Sequence, residues 1–473
     1  MMKYPSACCL LLLMLLSAAS FAQAPFEGDW EAKLRIQGME LPLIIHLSKT
    51  SDGYTGSFDS PKQQAFGVKF TSVTVESDEL RFSHQQAGLS YRGRWMEGDS
   101  IVGNFSQGGM QMPLTFYRHQ KGVGVPQAAK RIRPQTPSPP FPYQEKQVKI
   151  KHKAAGLSLA ATLSIPQGKG PFPAVVLISG SGPQNRNSEV FEHEPFWVLA
   201  DRLARQGIAV LRYDDRGVAQ STGDFNGATS EDFASDAVVA WSFLRKQKKI
   251  DPKRTGLIGH SEGGMIAPLA YGMAPDIGFL VLLAGVGIPV RELLLEQLEA
   301  VAAAEGIDRA RIDSQKQVNR SIFGWLCDLP EAEARDSLQW MLNQSLNKLP
   351  LGDVEARQAA EAAHQSMLRT YFDPWFLYFI RYNPEPALAG VKCPVLALNG
   401  SKDVQVLAES NLAGIKQSLS KAGNERIMVR ELEGLNHLFQ PAESGAVSEY
   451  ADIDITFDEA SIQLIADWIK HLK

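Results

Sequence analysis

A serine flanked by glycines two positions to either side, Gly259-His260-Ser261-Glu262-Gly263, sits between segments that dictate how the chain turns there. Ahead of it, Thr255-Gly256-Leu257-Ile258 reads as a short apolar strand rising out of the basic Lys253-Arg254. Behind it, Met265-Ile266-Ala267-Pro268-Leu269-Ala270 has the apolar density of a buried helix. A strand that reverses this sharply into a helix holds its serine in a strained backbone conformation. Glycine is required on both sides because a side chain would collide with neighbouring backbone. The hydroxyl then stands at a helix N-terminus, where free N–H groups and the helix dipole favour negative charge. A bare Gly-x-Ser-x-Gly arises by chance in long chains. Bracketed by strand and helix, it marks Ser261 as a nucleophile, with a structural turn serine as the alternative.

Serine attacks only when a base takes its proton, so a histidine and an orienting carboxylate are required elsewhere. In a strand–serine–helix arrangement they follow in the order acid, then histidine. Three histidines lie beyond Ser261. His364 falls in Ala-rich helical sequence and His471 near the end of a terminal amphipathic helix. His437 follows the strand-like Arg426-Ile427-Met428-Val429-Arg430 and a Glu433-Gly434-Leu435-Asn436 turn. A loop at a strand's carboxyl end delivers an imidazole to the serine, so His437 is the expected base. Cys393-Pro394-Val395-Leu396-Ala397-Leu398 reads as a buried strand, and its exit loop Asn399-Gly400-Ser401-Lys402-Asp403 brings Asp403 to the same edge. Asp403 is the expected acid; Glu431 and Glu433 are the substitutes, and a turn-capping Asp403 is the competing reading.

From about Tyr143 to Lys473 the chain resembles the α/β-hydrolases, and more narrowly the secreted bacterial carboxylesterases that carry a small β-rich domain in front. The resemblance rests on Leu177-Ile178-Ser179-Gly180-Ser181-Gly182-Pro183, Leu211-Arg212-Tyr213-Asp214-Asp215-Arg216-Gly217, the Gly259–Gly264 turn, Asn399–Asp403 and Gly434–His437, in that order. Two departures occur. Ser179-Gly180 stands where many lipases have His-Gly, and Gly217-Val218-Ala219-Gln220-Ser221 replaces the usual Gly-x-Gly-x-Ser. Neither removes a backbone donor. The resemblance implies an oxyanion hole made of Glu262 N–H and an N–H from the loop after Pro173–Ile178. Aligning Ser179-Gly180 with His-Gly makes Ser181 the second donor, with Gly182 next; Pro183 has no N–H.

The whole chain, with 473 residues, 44% hydrophobic and 21% charged, is ample for two or more cores. A net charge of −4 argues against a nucleic-acid surface. The basic run Arg245, Lys246, Lys248, Lys249 suits a helix C-terminus. Lys3, the apolar Cys8–Leu16 and the small residues of Ser20-Phe21-Ala22 form an export signal cleaved after Ala22, in preference to Ala24. Its apolar core is too short to anchor the protein stably in a bilayer. The expected location is periplasmic or secreted. Of four cysteines, the exported protein keeps Cys327 and Cys393, expected as free buried thiols. No metal set appears: Glu192-His193-Glu194 lacks the paired histidines of a zinc helix. No phosphate loop or dinucleotide fingerprint is present, so no cofactor is expected.

Residues 26–120 alternate in hydrophobicity between Ser-Asp-Gly and Glu-Gly-Asp turns, with a faint internal echo of Tyr54–Phe58 in Ile101–Phe105. They read as a small all-β barrel or sandwich. Trp30, Tyr54, Tyr91 and Trp95 belong to its core or to a sugar- or lipid-binding face. Residues 121–142, which contain six prolines between Val125 and Pro142, read as an extended linker. Beyond it, strands at 146–151, 158–165, 173–179, 208–213, 254–259, 279–284, 393–399 and 426–432 alternate with helices at 195–206, 231–249, 262–273, 404–422 and 458–472. That pattern predicts an α/β fold with a mostly parallel sheet covered by helices. At about 286–388 it gives way to an inserted helical cap, whose aromatic run Tyr371–Phe379 lines the acyl pocket or packs the cap itself. Three classes follow: a serine carboxylesterase acting on small ester substrates, a serine peptidase of the same fold, or a non-catalytic sensor on a hydrolase scaffold. The oligopeptidase type of serine peptidase needs a propeller several times larger than the N-terminal domain, and a complete triad counts against the sensor, so the first is the expected class.

Overall fold

The computed structural model describes residues 26–36, 39–51, 53–60, 65–84, 89–96, 99–107, 110–118, 133–347 and 354–472. The expected export signal lies outside these residues. The chain forms two compact units, the main division falling between Gly122 and Val123.

The first unit is a nine-stranded sheet: β1 (Gly28–Ile36), β2 (Met39–Thr50), β3 (Gly53–Ser60), β4 (Ala65–Lys69), β5 (Ser72–Glu76), β6 (Glu79–His84), β7 (Leu89–Met96), β8 (Ser100–Gln107) and β9 (Met110–Arg118). Their order is β4-β3-β2-β1-β9-β8-β7-β6-β5, so the first and last strands pair in the middle, antiparallel. Strict alternation along β7 puts Leu89 and Tyr91 inside and Ser90 and Arg92 outside. The sheet curls: Phe70, between β4 and β5, stacks on Phe58 of β3 and on Phe82 of β6. Trp30 and Tyr91 are core residues. The Trp30 indole donates to Phe26 O at 2.9 Å, and the Tyr91 hydroxyl to Ile101 O at 2.9 Å. Their polar tips are satisfied indoors, which removes them from any binding face.

The second unit contains β10 (Tyr143–His152), β11 (Leu157–Pro166), β12 (Phe172–Ile178), α1 (Pro195–Arg205), β13 (Ala209–Tyr213), α2 (Ser230–Leu244), β14 (Ile250–His260), α3 (Glu262–Met273) and β15 (Leu280–Leu283). The helices α4 (Val290–Ala304), α5 (Arg309–Asp328), α6 (Glu331–Leu346), α7 (Val354–Tyr371), α8 (Pro374–Ile380) and α9 (Glu385–Gly390) follow. The chain then returns through β16 (Val395–Gly400), α10 (Ala408–Lys421), β17 (Ile427–Leu432) and α11 (Glu459–His471). The sheet order is β10-β11-β13-β12-β14-β15-β16-β17, antiparallel at its first two pairings and parallel from β13 onward. Both faces are covered. Along β12, Ala174, Val176 and Ile178 join a core under α2, α3 and α10, while Val175 and Leu177 join one under α1 and α11. That double burial is why these strands read as unbroken apolar runs.

The fold is the α/β-hydrolase architecture the sequence predicts, with local differences. The basic run after α2 follows the helix instead of completing it; Arg245 is its C-cap and lies over the Trp241 ring. Helix α10 starts at Ala408, because Ser401–Leu407 is spent on a turn that carries Asp403. The cap has a small core of its own, built from Phe323, Leu326, Leu338, Phe372 and Leu377. Cys393 is buried and Cys327 half-buried, both free. No helix among the described residues is long and apolar enough to cross a membrane.

The proline-rich stretch is more than a tether where it is described. Arg133 is buried, donating from Nη1 to Ile453 O (2.8 Å) and from Nη2 to Phe191 O (2.9 Å) and Ala451 O (2.8 Å). Gln135 donates to Phe457 O and accepts from the amides of Thr456 and Phe457. Residues from Arg133 onward are therefore bolted to the hydrolase unit by side chains.

Candidate functional site

The elbow between β14 and α3 shows why its glycines are there. A Cβ on Gly259 would run into the Gly263 carbonyl, and one on Gly263 into the Ile178 carbonyl. Ser261 sits at φ +56°, a region that L-residues rarely occupy, held by its N–H bond to Leu283 O at 2.8 Å. Gly180, in the loop after β12, passes so close that a Cβ there would lie 3.1 Å from Ser261 Cβ. The backbone of the loop after β12 thus runs against the candidate nucleophile. Glu262 N–H, first in α3, has no acceptor within the helix.

His437 lies in the turn after β17. Its Nδ1–H donates to Asp403 Oδ2 at 2.8 Å, which leaves Nε2 as the acceptor in the neutral ring. The other Asp403 oxygen accepts from the amides of Gln405 (2.8 Å) and Val406 (2.9 Å), so the carboxylate is fixed on both sides. Glu431 and Glu433 make no bond to the ring. His260 steadies the loop from below, donating from Nε2 to His437 O at 2.8 Å. Burial, and then repulsion from His437, pushes the His260 imidazole down to about 4, so it stays neutral. Ser261 and His437 line one cavity, though no hydrogen bond joins hydroxyl to ring at rest. Such contacts commonly tighten only when substrate is seated. Of the other two histidines, His364 meets Ser345 in the cap and His471 bonds Asp467 O on its own helix. His193 is a buried strut between Thr456 Oγ1 and Tyr450 O.

The Arg212–Gly217 motif has a role that sequence reasoning left unassigned. Asp215 accepts from Ser179 Oγ (2.9 Å) and Gln184 N (2.9 Å), and its own N–H donates to Gln184 O. It pins both ends of the loop that carries Gly180, Ser181 and Gly182. Burial pushes this carboxyl up to about 7, the nearby acids Glu262 and Asp236 adding to the effect. Asp214 grips the next stretch through the amide, Nε and Nη2 of Arg186. The doubled aspartate was the available signal.

The cavity above Ser261 has a volume of about 370 Å³. Leu293 and Leu294 of α4, Trp375, Phe376 and Phe379 of α8, and Phe191, Val406, Leu438 and Tyr450 give it a largely apolar lining. Both readings of the aromatic run hold, residue by residue: Trp375, Phe376 and Phe379 line the cavity, whereas Phe372 and Leu377 pack the cap. Ser181 and Glu262 also line it, and Glu262 is its single carboxylate among the described residues. A wider groove of about 610 Å³ along α8, beside Tyr378 and Arg381, contains none of the candidate catalytic residues.

Comparison with known proteins follows this geometry. Esterase EstD of Thermotoga maritima is 31% identical over 160 residues, covering 34% of this chain and 37% of that protein. Thiohydrolase apmlB of Arthrinium phaeospermum is 34% identical over 139 residues, covering 28% and 41%. The chain thus spans less than half the length of these curated relatives. Among solved structures, an esterase of Pyrococcus furiosus, Pf2001, is similar with a TM-score of 0.42 at 15% identity, covering 70% of this chain and 91% of that one. The α/β hydrolase GrgF of a Penicillium species gives 0.43 at 17%, covering 70% and 99%. The profile of the X-Pro dipeptidyl-peptidase (S15) family matches residues 155–430, more than half of the chain, and the chain belongs to that family.

Proposed function

We propose that the protein is an exported serine carboxylesterase that cleaves small esters with short acyl chains. The observation that carries this reading is the Asp403–His437 hydrogen bond, with His437 and the strained Ser261 lining one largely apolar cavity. His437 Nε2 takes the Ser261 proton as Oγ attacks the ester carbonyl. The oxyanion is received by Glu262 N–H and Ser181 N–H, and His437 then protonates the departing alkoxide. A second passage, with water as nucleophile, frees the acid. Asp403 holds the ring in the tautomer this needs and stabilises the imidazolium. The apolar cap wall suits an acyl chain, and about 370 Å³ is at the small end of ligand cavities.

The family's name raises dipeptidyl-peptidase activity as the second reading. Such an enzyme must bind its substrate's terminal ammonium, which calls for an available carboxylate. Glu262, the single acid among the described lining residues, is already engaged by Ser230, Trp375 and Ser181, and burial biases it toward the neutral form. This favours esters. Turnover of p-nitrophenyl acetate and butyrate beside an Xaa-Pro anilide tests the choice; turnover of the anilide alone defeats it. Export is tested by N-terminal sequencing of protein from the periplasm and medium, where a start at Gln23 is expected.

A further inference from the structure

We propose that the Glu262 side chain is a positioning residue that ties the oxyanion loop and the helical cap to the nucleophile elbow. The proposal rests on the esterase reading above. Glu262 is 2% exposed, directly after Ser261. Its Oε1 accepts from Ser230 Oγ at 2.6 Å and from Trp375 Nε1 at 2.9 Å, and the Ser181 hydroxyl bonds the same carboxylate. The three donors come from three elements: the start of α2, the cap helix α8 and the loop after β12.

Nothing about packing requires an acid at this spot. A buried carboxylate costs several kcal/mol unless its lone pairs are met. One placed beside a developing oxyanion would also oppose the charge that the site must stabilise. The arrangement answers both objections, because three neutral donors meet the carboxyl oxygens and burial biases the group toward its uncharged form. In return, a single rigid side chain fixes where Ser181 and Trp375 stand relative to Ser261. Ser181 carries the second candidate oxyanion N–H. Trp375, stacked on Phe379 with centroids 5.2 Å apart, forms the acyl wall. The backbone N–H of Glu262 serves the oxyanion and its side chain holds the surroundings, so side-chain substitution separates the two jobs.

The test uses the full chain and p-nitrophenyl esters from acetate to octanoate. Glu262→Ala should lower kcat about 10- to 100-fold, part of what loss of one oxyanion donor costs, and should raise KM for butyrate. Glu262→Gln keeps an oxygen for Trp375 and Ser230 and an amide that Ser181 accepts from, so it should stay within about threefold of wild type. Trp375→Phe should raise KM several-fold at nearly constant kcat, and this effect should be clearly smaller in the Glu262→Ala background. Wild-type kinetics in Glu262→Ala, or additive effects in the double variant, would overturn the proposal. If Glu262→Ala does not fold, an unchanged KM in Trp375→Phe overturns it instead. Absent ester turnover by the wild type, or full turnover by Ser261→Ala, would defeat the esterase reading itself; normal turnover with an indifferent Glu262 defeats only this inference.

Discussion

Replacing Arg133 with alanine removes three bonds that join parts of the chain some 60 and 320 residues away. The guanidinium is 2% exposed and spans Phe191 O, Ala451 O and Ile453 O. Hydrogen bonds to a charged donor contribute about 1.5–3 kcal/mol each, so three give roughly 4.5–9 kcal/mol as an upper bound. Against this, the variant no longer desolvates a guanidinium, and water can enter the space to reach the carbonyls. A net loss of about 2–4 kcal/mol follows from these opposing terms. Arg133→Lys should fall in between, since one ammonium does not reproduce the planar fork. Function should change too. Phe191 and Glu192 sit at φ +49° and +61°, a strained pair that needs external support, and the Phe191 ring meets Tyr450 edge-on across the cavity wall. Freed from Arg133, this loop should relax and raise KM while leaving kcat near normal. Urea unfolding, followed by loss of esterase activity, measures the first effect, and the butyrate KM measures the second. A midpoint in Arg133→Ala equal to wild type would refute the reasoning, because a buried cation with three backbone acceptors has no energetically silent role.

Ser261→Ala and His437→Ala should each lower kcat by on the order of 10⁶ with unchanged circular dichroism, since the pair works as one unit; wild-type turnover in either variant contradicts the proposed chemistry. Asp403→Asn should cost about 10⁴ in kcat by turning an amide N–H toward His437 Nδ1 and favouring the wrong tautomer; a near-normal rate would shift the role to Glu431 or Glu433. Two buried groups should give the stability curve opposite slopes. Asp215, raised to about 7 from 3.8, contributes stability that is whole below about pH 4 and lost as pH rises through 7. His260, lowered to about 4 from 6.5, contributes stability that is whole above pH 6.5 and lost as pH falls through 4. Both act between about pH 4 and 7, where their slopes oppose: Asp215→Asn should leave an unfolding midpoint that rises with pH across this window, and His260→Gln one that falls; a profile unchanged in both variants would rule these groups out. Deleting residues 23–130 should leave acetate hydrolysis largely intact, whereas a cut at residue 140 should weaken the enzyme by removing Arg133 and Gln135. Equal activity and stability of the two truncations would show the segment carrying Arg133 and Gln135 to be dispensable.

The parts legible in the sequence share a physical cause. Strands β12 to β16 are buried on both faces, so each appears as an unbroken apolar run, and the loops at their carboxyl ends stand out by contrast. Ser261 and Asp403 lie on such loops, while His437 follows β17, the half-exposed strand at the sheet's edge. The carboxylate on the His437 ring is the one whose loop leaves β16, the strand adjoining β17. Period and position were enough to bring these three candidates to one edge of the sheet.

What stayed hidden has a cause as well. Arg133, Gln135 and Asp215 act largely on backbone atoms of distant segments: Gln135 on Thr456 and Phe457, Asp215 on Gln184. A carbonyl or amide is the same whatever residue bears it, so the partner leaves no mark in the sequence. A proline-rich stretch therefore reads as linker although two of its side chains are anchors. Glu262 is the intermediate case. Its place after the candidate nucleophile Ser261 drew attention to its N–H, which every residue but proline supplies, and away from its carboxylate. The donors that give that carboxylate meaning, Ser181, Ser230 and Trp375, are spread over nearly 200 positions and become neighbours only when the cap folds down over the sheet's edge. Chemistry placed on a loop by local geometry is readable in one dimension; chemistry that depends on which backbone, or which other domain element, closes over it is not.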